Sequence, residues 1–76
     1  MQKIKLIWDF RGQDSEQTAK HHEKHLLEFV EREQVKETVV GVDQLGELHF
    51  TAYVAVLSGD MVLVRDALIP HRGEEY

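Results

Sequence analysis

The chain has 76 residues, nine Lys and Arg against fourteen Asp and Glu, and a formal net charge of −5. A single domain of this size buries only about 60% of the surface its unfolded chain exposes, so its core is small and gains from burial against a partner. The acidic balance argues against nucleic acid or an anionic membrane surface as a partner, and the absence of cysteine excludes disulfides, thiolate metal sites and a cysteine nucleophile.

With 42% hydrophobic and 30% charged residues, the composition supports one modest core under a charged surface. No apolar run approaches the roughly 20 residues of a bilayer span, and the first residues lack the apolar stretch of a secretory signal. A soluble, cytoplasmic protein is the expectation.

Residues 3–10 alternate. Ile4, Leu6, Trp8 and Phe10 point one way, and Lys3, Lys5, Ile7 and Asp9 the other. This period of two predicts a strand with one buried face. Arg11-Gly12-Gln13 reads as a turn, Asp14 as an N-cap, and Gln17 occupies the capping-box position three residues on. Over residues 15–33 the period becomes helical, with Ala19, His22, Leu26, Phe29 and Val30 on one stripe and Leu27 at its border. Gln34-Val35-Lys36 then connects to a second strand, residues 37–42. Asp43-Gln44-Leu45-Gly46-Glu47 forms a hairpin turn into a third, residues 48–57. In that third strand Leu48, Phe50, Ala52, Val54 and Val56 face the helix, and His49, Thr51, Tyr53, Ala55 and Leu57 the other side.

Residues 61–69 admit two readings. Val62-Leu63-Val64 keeps a strand open. A helix capped by Asp60 and stopped by Pro70 accounts for Met61, Val64, Ala67 and Leu68 as a stripe, and is the better reading. Residues 73–76 read as a loose tail. The order strand-helix-strand-strand-helix predicts one α+β domain, a three-stranded sheet with both helices on one face. The run from Gly41-Val42-Asp43 through Phe50-Thr51-Ala52-Tyr53-Val54-Ala55-Val56 and into Asp60-Met61-Val62-Leu63-Val64-Arg65 resembles small ferredoxin-like proteins of the dimeric α+β-barrel type. The resemblance covers about half the chain, implies a ferredoxin-like fold lacking its last strand, and carries over no catalytic residue.

The sheet face away from the helices would show Ile7, Thr51, Tyr53, Ala55 and Leu57, a partly apolar patch that points to a homodimer. Its plainer use is a solvated face, which antiparallel sheets tolerate.

Five histidines stand out. His21 and His25 are spaced i, i+4 on one helical face, where two imidazoles can grip one divalent transition metal such as zinc. His49, His71 or Asp9 would have to supply a third ligand, because the His-Glu-x-x-His pattern is absent: Glu23 follows His22, whose i+4 partner is Leu26. The plainer reading makes His22 a core-edge residue and His21 and His25 surface. A small-molecule pocket between sheet and first helix would draw on His21, His22, His25, His49 and Asp9. If His49 instead lies near Tyr53 on the helix-free face, a pocket at a subunit interface becomes the alternative. Asp9 with Arg11 reads as a turn ion pair. Arg65, His71 and Arg72 gather positive charge that suits a carboxylate or phosphate, or simply a helix C-terminus. Three functions follow from these residues: a homodimeric ligand-binding or assembly module, a metal-binding protein or small metal-dependent enzyme using His21 and His25, and an interaction domain using the open sheet face.

Overall fold

The computed structural model describes residues 2–76. The elements run β1 (Lys3–Arg11), α1 (Ser15–Arg32), β2 (Val39–Gly46), β3 (His49–Leu57), a 3₁₀ turn (Ser58–Asp60), α2 (Met61–Leu68) and β4 (Arg72–Glu75). The strands form one antiparallel sheet in the order β2-β3-β1-β4.

The alternation of β1 and β3 decides what lies on each face. Leu6, Trp8, Ala52, Val54 and Val56 meet Leu26, Phe29 and Val30 of α1 and Val64 of α2, so both helices cover the same face. Val64 is fully buried, and the Trp8 indole N–H donates to the Leu68 carbonyl at 3.1 Å. That bond fixes the end of a helix too short to hold itself. Of residues 61–69, which had two readings, Met61–Leu68 are therefore helical and Ile69 ends the helix.

Three expectations are corrected. The sheet has four strands, because Arg72–Glu75 pairs with β1, whereas residues 73–76 were expected to form a loose tail. Nothing in Arg-Gly-Glu-Glu carries an alternating apolar pattern, and all four residues are exposed. The strand is held by its partner's ladder and by side chains of β1.

Second, β2 starts later and runs further than residues 37–42. The ladder slips between Gln44 and Gly46, so Leu45 is an extra residue, and the strand crosses the stretch taken for a turn. Leu48 consequently sits in the tight turn and is exposed instead of facing the helix.

Third, neither Asp14 nor Asp60 caps its helix with a side-chain hydrogen bond. At the start of α1 the work is done by the main chain: the Ser15 amide donates to Gly12 O at 3.1 Å and the Thr18 amide to Asp14 O at 2.9 Å. Gly12 has φ +110°, a conformation open to glycine, and its own amide donates to Leu48 O, tying this turn to the β2–β3 hairpin.

Both helices end on residues in left-handed conformation that are not glycine. After α1, Gln34 (φ 55°) donates to Glu31 O while Val35 donates to Val30 O, the paired bonds of a Schellman motif, with Val35 packed on the core. After α2, Ile69 (φ 49°) donates to Arg65 O. A β-branched residue is strained in this region, and the proline that follows adds to the crowding. Ile69 is also largely exposed, so little packing offsets the strain. Replacing Ile69 with Gly is expected to raise stability by about 0.5–1 kcal/mol, and Gln34→Gly by a smaller amount, after subtracting the added freedom of the unfolded chain. Urea unfolding checks both; a destabilised Ile69→Gly variant would refute the strain.

Candidate functional site

The polar cluster of the chain lies on the face that the helices leave uncovered. Asp9, near the end of β1, points there together with His49 and Thr51 of β3 and Arg72 of β4. Arg72 grips the carboxylate twice, Nε donating to Oδ2 at 2.9 Å and Nη2 to Oδ1 at 3.1 Å, and His49 Nε2 stands 2.9 Å from Oδ1. Both oxygens of Asp9 are thus accepting. Because a carboxylate can only accept, His49 donates to it from Nε2. Asp9 and His49 keep only 18% and 20% of their side-chain exposure, so solvent screens this contact less than an ordinary surface pair. The Arg72 hydrogen bonds, with a smaller contribution from His49, hold the Asp9 carboxyl down at about 2 despite partial burial, which acts the other way. Asp9 likewise raises Arg72. The turn ion pair expected between Asp9 and Arg11 gives way to this longer-range one, contributed by Arg72 at the start of β4.

A second ion pair lies on the same face. Lys5 Nζ reaches across β3 to Asp43 Oδ2 at 3.0 Å and passes over the Tyr53 ring, 4.2 Å from its centroid. Tyr53 in turn lies on Gly41, its cross-strand partner: a Cβ there would meet the phenol oxygen at 2.6 Å. Glycine at 41 makes room for the ring, and the ring covers what glycine leaves bare. Burial, followed by the Asp43 charge, raises the Tyr53 hydroxyl, keeping it neutral. These side chains explain why the helix-free face is less apolar than the strand pattern implies. Ile7, Thr51 and Ala55 are buried within the chain itself, and Tyr53 and Leu57 are half-buried.

The histidines separate into groups. His49 joins Tyr53 on the helix-free face. His22 lies on the opposite side of the sheet, between Trp8 (ring centroids 4.7 Å apart) and Phe10 (5.6 Å), with Nε2 buried and, among the described residues, without a hydrogen-bond partner. Burial pushes its pKa below 6.5, and the neighbouring His25, His71 and His21 push the same way. His21 and His25 are exposed on α1 with ring centroids 4.4 Å apart. The pocket expected between sheet and first helix does not assemble, since the sheet stands between His49 and Asp9 on one side and His22 on the other. The metal reading thereby loses His49 as third ligand to His21 and His25. Arg65 is exposed on α2 and paired with Asp66, away from Arg72. Among the described residues no enclosed pocket forms, and no group of three metal-ligating side chains converges.

Sequence reasoning named Asp9, His49, Tyr53 and Arg72 but missed Lys5 and Asp43, whose pairing depends on a crossing over β3 that no local spacing reveals. His71 was treated as a candidate third ligand. Its Nδ1 instead accepts the Asp9 main-chain N–H at 2.8 Å. Comparison with protein-family models, with curated proteins and with solved structures finds no match.

Because the Asp9 carboxyl sits at about 2 in the fold against an ordinary 3.8, its stabilisation is complete above about pH 4 and is lost as pH falls toward 2. Asp9→Asn is expected to cost on the order of 1–2 kcal/mol at neutral pH and to flatten the loss of stability between pH 4 and 2. Urea titrations of wild type and variant across that range check this; an unchanged acid limb in Asp9→Asn would remove Asp9 as its source.

Proposed function

We propose that the chain is a small ligand-binding or assembly module of ferredoxin-like architecture whose working surface is the helix-free face of the sheet. The architecture is supported by the element order β-α-β-β-α-β and by four antiparallel strands arranged β4-β1-β3-β2, the split βαβ arrangement. The observation that carries the functional reading is the Asp9–His49–Arg72 cluster: three ionisable groups from three strands, held in fixed geometry on an open face beside the Lys5–Asp43 bridge and Tyr53. A preorganised polar cluster of this kind sets register and partner choice in an interface more than raw affinity. Its partner is a surface, and a second copy of the chain is the first candidate, because a domain this small gains most from added burial.

Light scattering on the eluting protein, over concentrations up to on the order of 100 µM, is expected to give a two-chain mass. Arg72→Ala should weaken the association about tenfold, and Leu63→Glu on the exposed side of α2 should leave it intact. A one-chain mass throughout, or a dimer dissolved by Leu63→Glu and untouched by Arg72→Ala, would remove the helix-free face as the site of self-association.

One observation favours a second reading. The His21 and His25 rings lie side by side and exposed one turn apart on α1, a spacing from which two imidazoles can hold zinc or a similar divalent ion. Solvent or a partner would complete such a site. Calorimetric titration with zinc at neutral pH should then show uptake in the micromolar range that a His21→Ala/His25→Ala variant lacks. Equal uptake by both proteins, or none, retires the clamp.

A further inference from the structure

The chain returns to the sheet edge after Pro70 through two hydrogen bonds to β1. The His71 amide donates to Ile7 O at 2.9 Å, and the Asp9 amide donates to Nδ1 of the His71 ring at 2.8 Å. Beyond them β4 pairs Arg72 with Ile7, Gly73 with Leu6, Glu74 with Lys5 and Glu75 with Ile4. Continuing that register places Asp9 opposite Pro70, past the last ladder pair. There the ladder is extended by an imidazole nitrogen where a carbonyl would ordinarily serve.

That substitution has a chemical consequence. A carbonyl accepts a hydrogen bond at any pH. An imidazole nitrogen accepts only while it holds a lone pair, so the bond from Asp9 requires neutral His71 with its proton on Nε2. We propose that His71 is an acid-operated latch on β4. A solvent proton added to Nδ1 occupies the accepting lone pair, turns the ring into a cation with two donors, and sets an N–H against the Asp9 N–H. The junction between Pro70 and β4 then opens, uncovering the outer main-chain edge of β1.

The charged and titratable groups around the latch act in different directions. From β1 the Asp9 carboxylate favours a cationic ring, but it points to the helix-free face and is already gripped by Arg72 and His49. From β4 Arg72 opposes the added charge. From α1 His22 faces the latch, and its burial first, then the charges of His25, His71 and His21, disfavour a cationic His22 ring. The charged residues of α2, Arg65 and Asp66, are paired with each other and exposed. Phe10 flanks the ring at 6.4 Å. Release therefore comes in two steps. Protonation of the ring opens the His71 end, while Arg72 still holds the strand to Asp9. Only when the Asp9 carboxyl is itself protonated, near pH 2, does the second hold go. The inference stands apart from whatever the helix-free face binds.

Amide hydrogen exchange followed by NMR tests the latch on the intact chain. In wild type the protection factor of the Asp9 amide, corrected for intrinsic exchange, is expected to fall about tenfold between pH 7.5 and 5, together with the β4 amides and ahead of those linking β2 to β3. His71→Gln offers a carboxamide oxygen that accepts at every pH and should make the Asp9 amide insensitive to this change. His71→Ala should show low protection at both pH values. Because His22 is a second imidazole near His71, His22→Leu serves as the control and should keep the wild-type response at Asp9. Protection at Asp9 that is unchanged by acid, or a fall that persists in His71→Gln or vanishes in His22→Leu, would overturn the latch.

Discussion

Asp9 is the residue on which three strands converge. Its main-chain N–H is held by His71, and its carboxylate by Arg72 and His49. One residue on β1 thus fixes the start of β4 on one side and the start of β3 on the other. A carboxylate in this position is costly unless every lone pair is used. Here the oxygens are shared between a guanidinium fork and an imidazole, so the charge is retained and its partners are immobilised. Without those contacts β4 would have only four exposed residues and a short ladder to hold it.

The two faces of the sheet follow from the parity of β1 and β3. Even-numbered residues build the core with the helices, and odd-numbered residues make the polar face. Parity decides which histidines can act together: His22 follows the core side through Trp8 and Phe10, and His49 is assigned to the other side by its place in β3. No adjustment of loops brings His49 to His21 and His25, because a one-residue slip would reverse every side chain in the strand. The same parity puts Lys5, Asp43 and Tyr53 beside the Asp9 cluster.

Much of this was legible in the amino-acid sequence. Alternation located β1 and β3, the 3.6-residue stripe located α1, and Pro70 ended α2. Asp9, His49, Tyr53 and Arg72 were recognisable as candidates, but their grouping was not. Asp9 has Arg11 two residues away and takes Arg72 from the far end of the chain, because β4 brings the guanidinium into bidentate reach while Arg11 is exposed. The strand β4 itself was hidden because its stability comes from its neighbours: a charged, glycine-containing tetrapeptide has no apolar period to detect. The continuation of β2 through Gln44 and Gly46 was masked in the same way by a bulge, which lets turn-forming residues remain in a ladder. The helix ends show the converse. Asp14 and Asp60 are well-chosen capping residues by type, but neither side chain makes the capping hydrogen bond.

The edges of the sheet bear on how such a domain can associate. Unpaired edge strands invite pairing with other chains, and short length, charge and bulges discourage it. Both edges carry these devices. β2 is bulged at Leu45, and β4 is four residues long with an arginine and two glutamates. Association through an edge is thereby disfavoured, which leaves the faces, and the helix-free face is the one with fixed polar geometry. The guard on the second edge is conditional, however. β4 reaches β1 through an imidazole that accepts a hydrogen bond only when neutral, so the proposed latch would convert a protected edge into an open one under acid while the Arg72–Asp9 contact still anchors the strand. The same aspartate that organises the polar face thus also limits how far that edge can open.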